Sequence, residues 1–233
     1  MRINRFFGNF NLDAENIKIS DKETCHQIKD VLKIKPGERI ILSNGDLKET
    51  LVEIVKIDRA GIEAKIIEAT INNREPKIKV ILYCSILKGE HFEIVAEKST
   101  EVGISNIVPI ICERTVKTGI KKERLEKIIK EAAEQSGRGI VPAIENMIDF
   151  EKAVKNTNES DSNLFFDLSG DDFKNFKLDN NIKKVGIWIG PEGGWTDKEI
   201  QSARKAGFKI LSLSKLTFRA ETAAIVASYL ISL

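Results

Sequence analysis

The pattern of apolar and polar residues divides the chain near residue 75. Up to that point, short apolar runs alternate with turn signals, and Asn44-Gly45 and Ala60-Gly61 have the composition of hairpin loops. One helix, predicted from about Ser20 to Leu32, interrupts these runs before Lys35-Pro36-Gly37. The first part of the chain is therefore predicted to be a compact β unit, a small barrel.

Beyond a predicted linker at Asn72–Pro76, the pattern changes to alternating strands and helices, which is typical of an α/β domain. Strands are predicted at Ile78–Leu87, Ile107–Ile111, Leu164–Leu168, Val185–Ile189 and Lys209–Leu213, and helices at His91–Val102, Glu123–Ser136, Asp197–Ala206 and Ala220–Ile231. We therefore predict two domains, at residues 1–72 and 77–233.

The segment from Val185 to Ile200 indicates a binding site. Its apolar run predicts a buried strand that ends at Gly190-Pro191, and Thr196 with Glu199 predicts a capping box that opens a helix. Open α/β folds place their ligands at such a loop, at the carboxyl end of a strand. The spacings of a P-loop and of a dinucleotide fingerprint are both absent. Because the loop also carries Glu192, we expect a small molecule with little negative charge; the alternative is a purely structural turn.

Composition and charge narrow the function classes. Hydrophobic residues make up 42% of the chain and charged residues 31%, and no apolar run approaches the roughly 20 residues that span a bilayer. Three cysteines without a Cys-x-x-Cys pair and only two histidines argue against a zinc site. Because the amino terminus lacks a signal-peptide core, we expect a cytoplasmic protein. Between Arg114 and Arg138, eight Lys/Arg face four Glu, which suits a nucleic-acid backbone or, alternatively, a solvated helix face.

Four blocks of sequence occur in the order and spacing of one known family. They are Leu87–Gly103, Glu131–Arg138, Ile189–Gly194 and Phe218–Ala223, and Arg5-Phe6-Phe7 and Val31–Gly37 add matches in the first domain. With these blocks the chain resembles the ribosomal small subunit methyltransferase E family, in the SPOUT class of S-adenosylmethionine-dependent RNA methyltransferases. The resemblance implies an N-terminal PUA-like small β-barrel domain, a SPOUT α/β domain with a C-terminal trefoil knot, a homodimer, and S-adenosylmethionine as the cofactor.

The resemblance also implies a reaction, methylation of N3 of a uridine in the decoding region of 16S rRNA within the small ribosomal subunit. Negative charge develops on the uracil ring when N3 loses its proton. We expect Arg219 to stabilise that anion or to anchor a phosphate, and Glu221 to orient the base or accept the proton. The alternative is that these two residues form a structural pair. His91 is interpreted as an ordinary surface or interface histidine, with a role as base as the alternative.

Three loops are expected to hold the cofactor. Their residues are Leu168, Gly190, Pro191, Glu192, Gly193, Gly194, Leu213, Ser214, Leu216, Thr217 and Phe218. The RNA is expected to contact Arg2, Arg5, Lys33, Arg114 and Arg138.

The last of these loops departs from the family pattern. The family commonly reads Leu-Gly-x-Arg-Ile-Leu-Arg where this chain has Leu213–Arg219, so the glycine and the first arginine are missing. Lys215 stands one position before that arginine as a partial substitute. Two alternatives remain open: a SPOUT enzyme that methylates tRNA or a ribose 2′-hydroxyl, and a noncatalytic RNA-binding factor in ribosome assembly.

Overall fold

The structure is a computed structural model that describes residues 3–116, 118–157 and 160–233. Its contacts separate into two compact units. The first runs up to Glu75 and also contains Ala133–Val141, and the second contains Pro76–Ala132 and Pro142–Leu233. Within the described residues, no helix combines the length and the apolar character that crossing a membrane requires.

The first unit is a five-stranded sheet with one helical segment. Its elements are β1 (Asn4–Phe7), β2 (Asn16–Ile19), α1 (Lys22–His26) with a π-helical turn (Gln27–Val31), β3 (Arg39–Ser43), β4 (Lys48–Asp58) and β5 (Gly61–Ile71). The strand order is β1-β3-β4-β5-β2, with β1 parallel to β3 and the other neighbours antiparallel. Both predicted hairpins are present, β3–β4 and β4–β5. Alternate residues such as Ile40 and Leu42 are fully buried, so one face of the sheet forms the core.

The helix predicted between Ser20 and Leu32 is present but changes its geometry along its length. The carboxylate of Asp21 caps α1 by accepting a hydrogen bond from the backbone amide of Thr24 at 2.8 Å. Beyond α1 the helix widens to the π form. Lys33 follows with a φ of 53°, a conformation that few non-glycine residues adopt, and its side chain is exposed.

The second unit is a parallel sheet flanked by helices. Its elements are β6 (Lys79–Ser85), α2 (His91–Glu101), β7 (Asn106–Ile111), α3 (Lys122–Ser136, which ends in the first unit), β8 (Ala143–Ile144), β9 (Ile148–Asp149), α4 (Phe150–Lys155), β10 (Ser162–Asp172), β11 (Lys184–Ile189), α5 (Asp197–Lys205), β12 (Lys209–Ser212) and α6 (Ala220–Ser232). The order is β12-β10-β11-β6-β7-β8, and β9 also pairs with β7. The strands and helices predicted for this part of the chain are all present, which confirms the α/β class.

Strand β11 lies in the middle of this sheet, between β10 and β6. Val185 to Ile189 are all buried, because a parallel strand in this position is covered on both faces. Trp188 of β11 stacks on Tyr83 of β6 with ring centroids 4.1 Å apart, inside an aromatic core that also contains Trp195. This packing fixes the carboxyl end of β11, where the glycine loop begins.

Candidate active site

A cavity of about 510 Å³ lies at the carboxyl ends of β10, β11 and β12 in the second unit. Its volume falls within the range of roughly 300–1,000 Å³ that small-molecule sites occupy. The three loops predicted to bind a cofactor meet there. The residues of that prediction that line the cavity are Leu168, Gly190, Pro191, Glu192, Gly194, Leu213, Ser214, Leu216, Thr217 and Phe218. Gly193, the other residue of that prediction, does not line the cavity.

The first loop of the cavity is a bulge within β10 rather than a connection after it. The pairing of β10 with β12 shifts its register between Phe166 and Asp171, so the intervening residues leave the ladder. The carboxylate of Asp167 accepts a hydrogen bond from the backbone amide of Ser169 at 2.8 Å and shapes the bulge. The exposed side chain of Leu168 lies in the bulge and lines the cavity. The site therefore begins before the end of the predicted strand.

The second loop packs closely against an indole ring. A Cβ atom on Gly190 would lie 2.9 Å from Cε2 of Trp195, so only glycine fits here without displacing the ring. The indole is held in place, because its N–H donates to the carbonyl oxygen of Phe166 at 3.0 Å. Its ring also packs on that of Phe165, with ring centroids 4.2 Å apart. Gly194 has a φ of 70°, which glycine adopts without strain. Gly190 is thus explained by the close approach of the indole ring, and Gly194 by its backbone conformation.

Two side-chain contacts tie this glycine loop to neighbouring segments. The guanidinium of Arg114, which follows β7, donates to the carbonyl oxygens of Gly193 at 2.8 Å and of Trp195 at 3.1 Å. The carboxylate of Glu192 accepts from the backbone amide of Lys88, which follows β6, at 2.8 Å. Arg114 is exposed, and one nitrogen of its guanidinium holds the loop.

The predicted capping box closes the glycine loop. The backbone amide of Glu199 donates to the hydroxyl of Thr196 at 3.3 Å, and the carboxylate of Glu199 accepts from the backbone amide of Thr196 at 2.8 Å. The other carboxylate oxygen of Glu199 accepts from the backbone amide of Glu113 at 2.9 Å. The start of α5 is therefore fixed on two sides.

The third loop accommodates the serine that replaces the glycine of the family pattern. Ser214 is not among the described residues with a positive φ, so a side chain causes no backbone strain there. Its hydroxyl accepts a hydrogen bond from the backbone amide of Leu216 at 3.1 Å, and its carbonyl accepts from the hydroxyl of Ser212 at 3.1 Å. Lys215 is exposed and does not line the cavity.

Arg219 and Glu221 both line the cavity, at the beginning of α6. The guanidinium of Arg219 is exposed and forms no ion pair within the described part of the chain. One carboxylate oxygen of Glu221 lies 3.1 Å from Nδ1 of His91, the first residue of α2. The alternative of a structural ion pair between Arg219 and Glu221 is not found among the contacts of the described residues. The carboxylate of Glu221 contacts the imidazole of His91 instead.

Sequence reasoning missed several residues of the cavity. They are Phe166, Asp167, Ile189, Trp195, Ser212, Ala220 and Ala223, each close in sequence to a predicted site residue. His91, interpreted from the sequence as a surface or interface histidine with a role as base as the alternative, also lines the cavity. The charged lining consists of the carboxylates of Asp167, Glu192 and Glu221 with the single guanidinium of Arg219. Three acids against one fixed cation favour a ligand that carries positive charge.

The residues predicted to contact RNA fall into different environments. Arg5 is only 8% exposed and donates to the carboxylate of Glu49 at 3.1 and 2.9 Å. Arg138 is 6% exposed and donates to the carboxylate of Glu75 at 2.6 Å. Because both guanidiniums serve buried ion pairs within the first unit, their placement argues against direct RNA contact. Lys33 is exposed, and Arg2 lies outside the described residues.

Two buried cysteines stand near the carboxyl ends of neighbouring strands, Cys84 in β6 and Cys112 after β7. Burial raises the pKa of both thiols, that of Cys112 to about 12. A thiol acts as a nucleophile only as the thiolate, so neither cysteine is suited to covalent chemistry near neutral pH.

Comparison with known proteins extends over both parts of the chain. Two family models match it, an RNA methyltransferase domain at residues 73–232 and an RNA methyltransferase PUA domain at residues 19–67. The chain is 33% identical over 227 residues to the ribosomal RNA small subunit methyltransferase E of Mesomycoplasma hyopneumoniae (strain 232), with 95% of each chain covered. It is 30% identical over 239 residues to the protein of the same name from Bacillus subtilis (strain 168), with 94% of this chain and 91% of the relative covered.

A solved structure is similar over nearly the same length. It is the crystal structure of a ribosomal RNA small subunit methyltransferase E from Neisseria gonorrhoeae bound to S-adenosyl methionine. The TM-score is 0.90 at 27% identity, and the match covers 99% of this chain and 97% of the other. The likeness therefore includes the three loops that line the cavity.

Proposed function

The chain belongs to the ribosomal RNA small subunit methyltransferase E family, and we propose that it transfers the methyl group of S-adenosylmethionine to N3 of one uridine in the decoding region of 16S rRNA. The observation that carries this proposal is the cavity at the carboxyl ends of the parallel strands. Three loops with the family's spacing line it, and Arg219 and Glu221 lie at its edge.

The residues of the cavity fit S-adenosylmethionine. Gly194 lines the cavity and has no atom within 4 Å of its Cβ position, so a ligand can approach the backbone there. Apolar side chains such as Leu168 and Leu216 suit the adenosine, and the carboxylates suit a cationic sulfonium and amino group. When bound, the cofactor supplies an electrophilic methyl group on positively charged sulfur.

The chain itself contributes positioning and charge. A displacement at the methyl carbon requires the attacking nitrogen in line with the sulfur, so the site must hold the uracil ring rigidly. The guanidinium of Arg219, which is free of ion pairs within the described chain, stabilises the negative charge on the uracil oxygens or anchors an adjacent phosphate. Glu221 contributes through the imidazole that it holds.

The first domain, residues 1–72, is proposed to bind the RNA backbone, with exposed Lys33 as one contact and Arg2 as another. Arg114 contributes a further cation beside the glycine loop. We also propose that the chain acts as a homodimer, that its C-terminus forms the trefoil knot of the SPOUT class, and that it works on the small ribosomal subunit in the cytoplasm.

The substrate is tested by offering labelled S-adenosylmethionine with three RNAs: 30S particles that lack the native modification, naked 16S rRNA, and bulk tRNA. We expect label in the 30S particles, less in naked 16S rRNA, and none in tRNA, because the site is a structured region of the subunit. Label in tRNA alone would contradict the proposed substrate. Failure of the chain to bind S-adenosylmethionine in calorimetry would contradict the proposed cofactor and favour a noncatalytic RNA-binding protein.

A further inference from the structure

The imidazole in the cavity is held from one side by a carboxylate. Nδ1 of His91 lies 3.1 Å from Oε1 of Glu221, and both residues line the cavity. The side chain of Glu221 is 14% exposed, whereas that of His91 is 41% exposed. The carboxylate is therefore the buried support of the pair, and the imidazole is the partner that a substrate can reach.

This contact fixes where the imidazole carries its proton. An ionised carboxylate only accepts hydrogen bonds, so Nδ1 of His91 donates, and in the neutral imidazole Nε2 then carries the lone pair. Nε2 makes no hydrogen bond within the described part of the chain. A carboxylate in this position also stabilises the imidazolium that forms when Nε2 takes up a proton. The arrangement has the features of a general base with an orienting group.

The other acids of the cavity each use one carboxylate oxygen to hold a loop. The carboxylate of Glu192 accepts the backbone amide of Lys88 at 2.8 Å. That of Asp167 accepts both the backbone amide and the hydroxyl of Ser169, at 2.8 and 2.6 Å. Arg219, the remaining charged group of the lining, has no lone pair to offer. Among these groups, the imidazole is the one whose acceptor atom is oriented by a second titratable side chain of the cavity, the carboxylate of Glu221.

We propose that His91 is the general base that removes the N3 proton of the target uridine, and that Glu221 is the positioning residue that holds His91 in the required tautomer. The proposal rests on the proposed function, because it names the base for that reaction. The N3 proton moves to Nε2, and the electron pair left on N3 forms the bond to the methyl carbon. The bond between that carbon and sulfur breaks, its electron pair stays on sulfur, and a neutral thioether leaves.

The chain provides a matched control for both halves of this proposal. It contains only two histidines, and the second, His26, also has Nδ1 next to a carboxylate, that of Asp30 at 2.8 Å. Both partners of that pair are well exposed, and they lie in the first unit, outside the cavity. His26→Gln therefore removes the same chemical pair without touching the site.

The tautomer is tested on the protein without RNA. Nitrogen NMR of ¹⁵N-histidine-labelled protein gives two imidazoles, and His26→Gln assigns them. We expect His91 with its proton on Nδ1, and we expect Glu221→Ala to abolish that preference while the signal of His26 stays unchanged. A neutral imidazole of His91 with its proton on Nε2 in the unmodified chain would overturn the proposal, whatever the activity.

The role in proton transfer is tested by single-turnover methyl transfer to 30S particles. His91→Ala is expected to lower the rate by about 10²–10⁴-fold, the usual contribution of a general base, with the Kd for S-adenosylmethionine unchanged. Added imidazole is expected to restore part of the rate, and His26→Gln is expected to leave it unchanged. A rate for His91→Ala equal to that of the unmodified chain, or a loss that imidazole does not restore, would overturn the inference alone. Absence of transfer by the unmodified chain would instead contradict the proposed function.

Discussion

A methyl group added at Gly190 would collide with the ring of Trp195. The new Cβ would lie 2.9 Å from Cε2 and 3.0 Å from Nε1, both closer than side-chain atoms ordinarily pack. The ring cannot move aside freely, because its centroid lies 4.2 Å from the ring centroid of Phe165 and 5.3 Å from that of Phe150. Its N–H also donates to the carbonyl oxygen of Phe166 at 3.0 Å. Gly190→Ala must therefore strain the loop or displace the indole.

The expected cost follows from these contacts. Overpacking of a well-packed core lowers the free energy of unfolding by about 1–3 kcal/mol. For a chain of this length, that corresponds to a fall in Tm of roughly 2–12 °C. Because Trp195 also lines the cavity, a displaced ring changes the wall that the cofactor contacts. We expect the affinity for S-adenosylmethionine to fall at least about tenfold, which corresponds to about 1.4 kcal/mol of binding free energy.

Gly193→Ala is the matched control for stability. The atoms nearest to its Cβ would belong to the side chain of Arg114, at 3.4 Å, an ordinary van der Waals distance, and its φ is not positive. We expect its free energy of unfolding to stay within about 0.5 kcal/mol of the unmodified value. Thermal unfolding and titration calorimetry with S-adenosylmethionine measure both effects. Equal stability of Gly190→Ala and Gly193→Ala would refute the reasoning about Trp195.

Three further predictions concern the buried pair, the exposed arginine and the thiols. Arg5→Ala removes the two hydrogen bonds of Arg5 from the buried carboxylate of Glu49, which keeps contacts to Asn72 and Arg74, and is expected to lower the free energy of unfolding by up to about 3 kcal/mol in urea denaturation; a direct RNA contact would instead leave unfolding unchanged and weaken RNA binding. Arg219→Ala is expected to slow single-turnover methyl transfer about 10²–10³-fold without changing the Kd for S-adenosylmethionine, whereas an equal loss of cofactor affinity would argue against its proposed role. Because burial raises the pKa of Cys84 and of Cys112, the latter to about 12, a thiol reagent at about pH 8 should label Cys25 alone in the folded chain and all three cysteines after denaturation. Rapid labelling of the other two would contradict their burial.

The loops of the cavity were predictable because their signals are local in the sequence. The capping box of Thr196 and Glu199 and the end of β11 at Gly190 are patterns of a few adjacent residues, and the structure contains both. Two short elements, β1 and α4, gave no such signal. Strand β1 has only four residues, with Phe6 and Phe7 both buried instead of alternating, and α4 has six residues, fewer than a periodicity window needs.

Contacts between distant residues lay beyond sequence reasoning. His91 and Glu221 are 130 residues apart, so nothing near His91 in the sequence indicates its carboxylate partner. Arg5 and Glu49 are 44 residues apart, and an arginine beside two phenylalanines has the same pattern whether it binds RNA or a buried carboxylate. The sequence therefore predicted which residue types are available, and the fold decided which of them meet.

The measurement that tests the central claim most directly is the position of the transferred methyl group. Small subunits that lack the native modification are incubated with the chain and labelled S-adenosylmethionine, and the labelled nucleoside is identified by mass spectrometry after digestion. We expect a single product, 3-methyluridine, from one site in the decoding region. Label on a ribose, or on any base other than uridine, would contradict it.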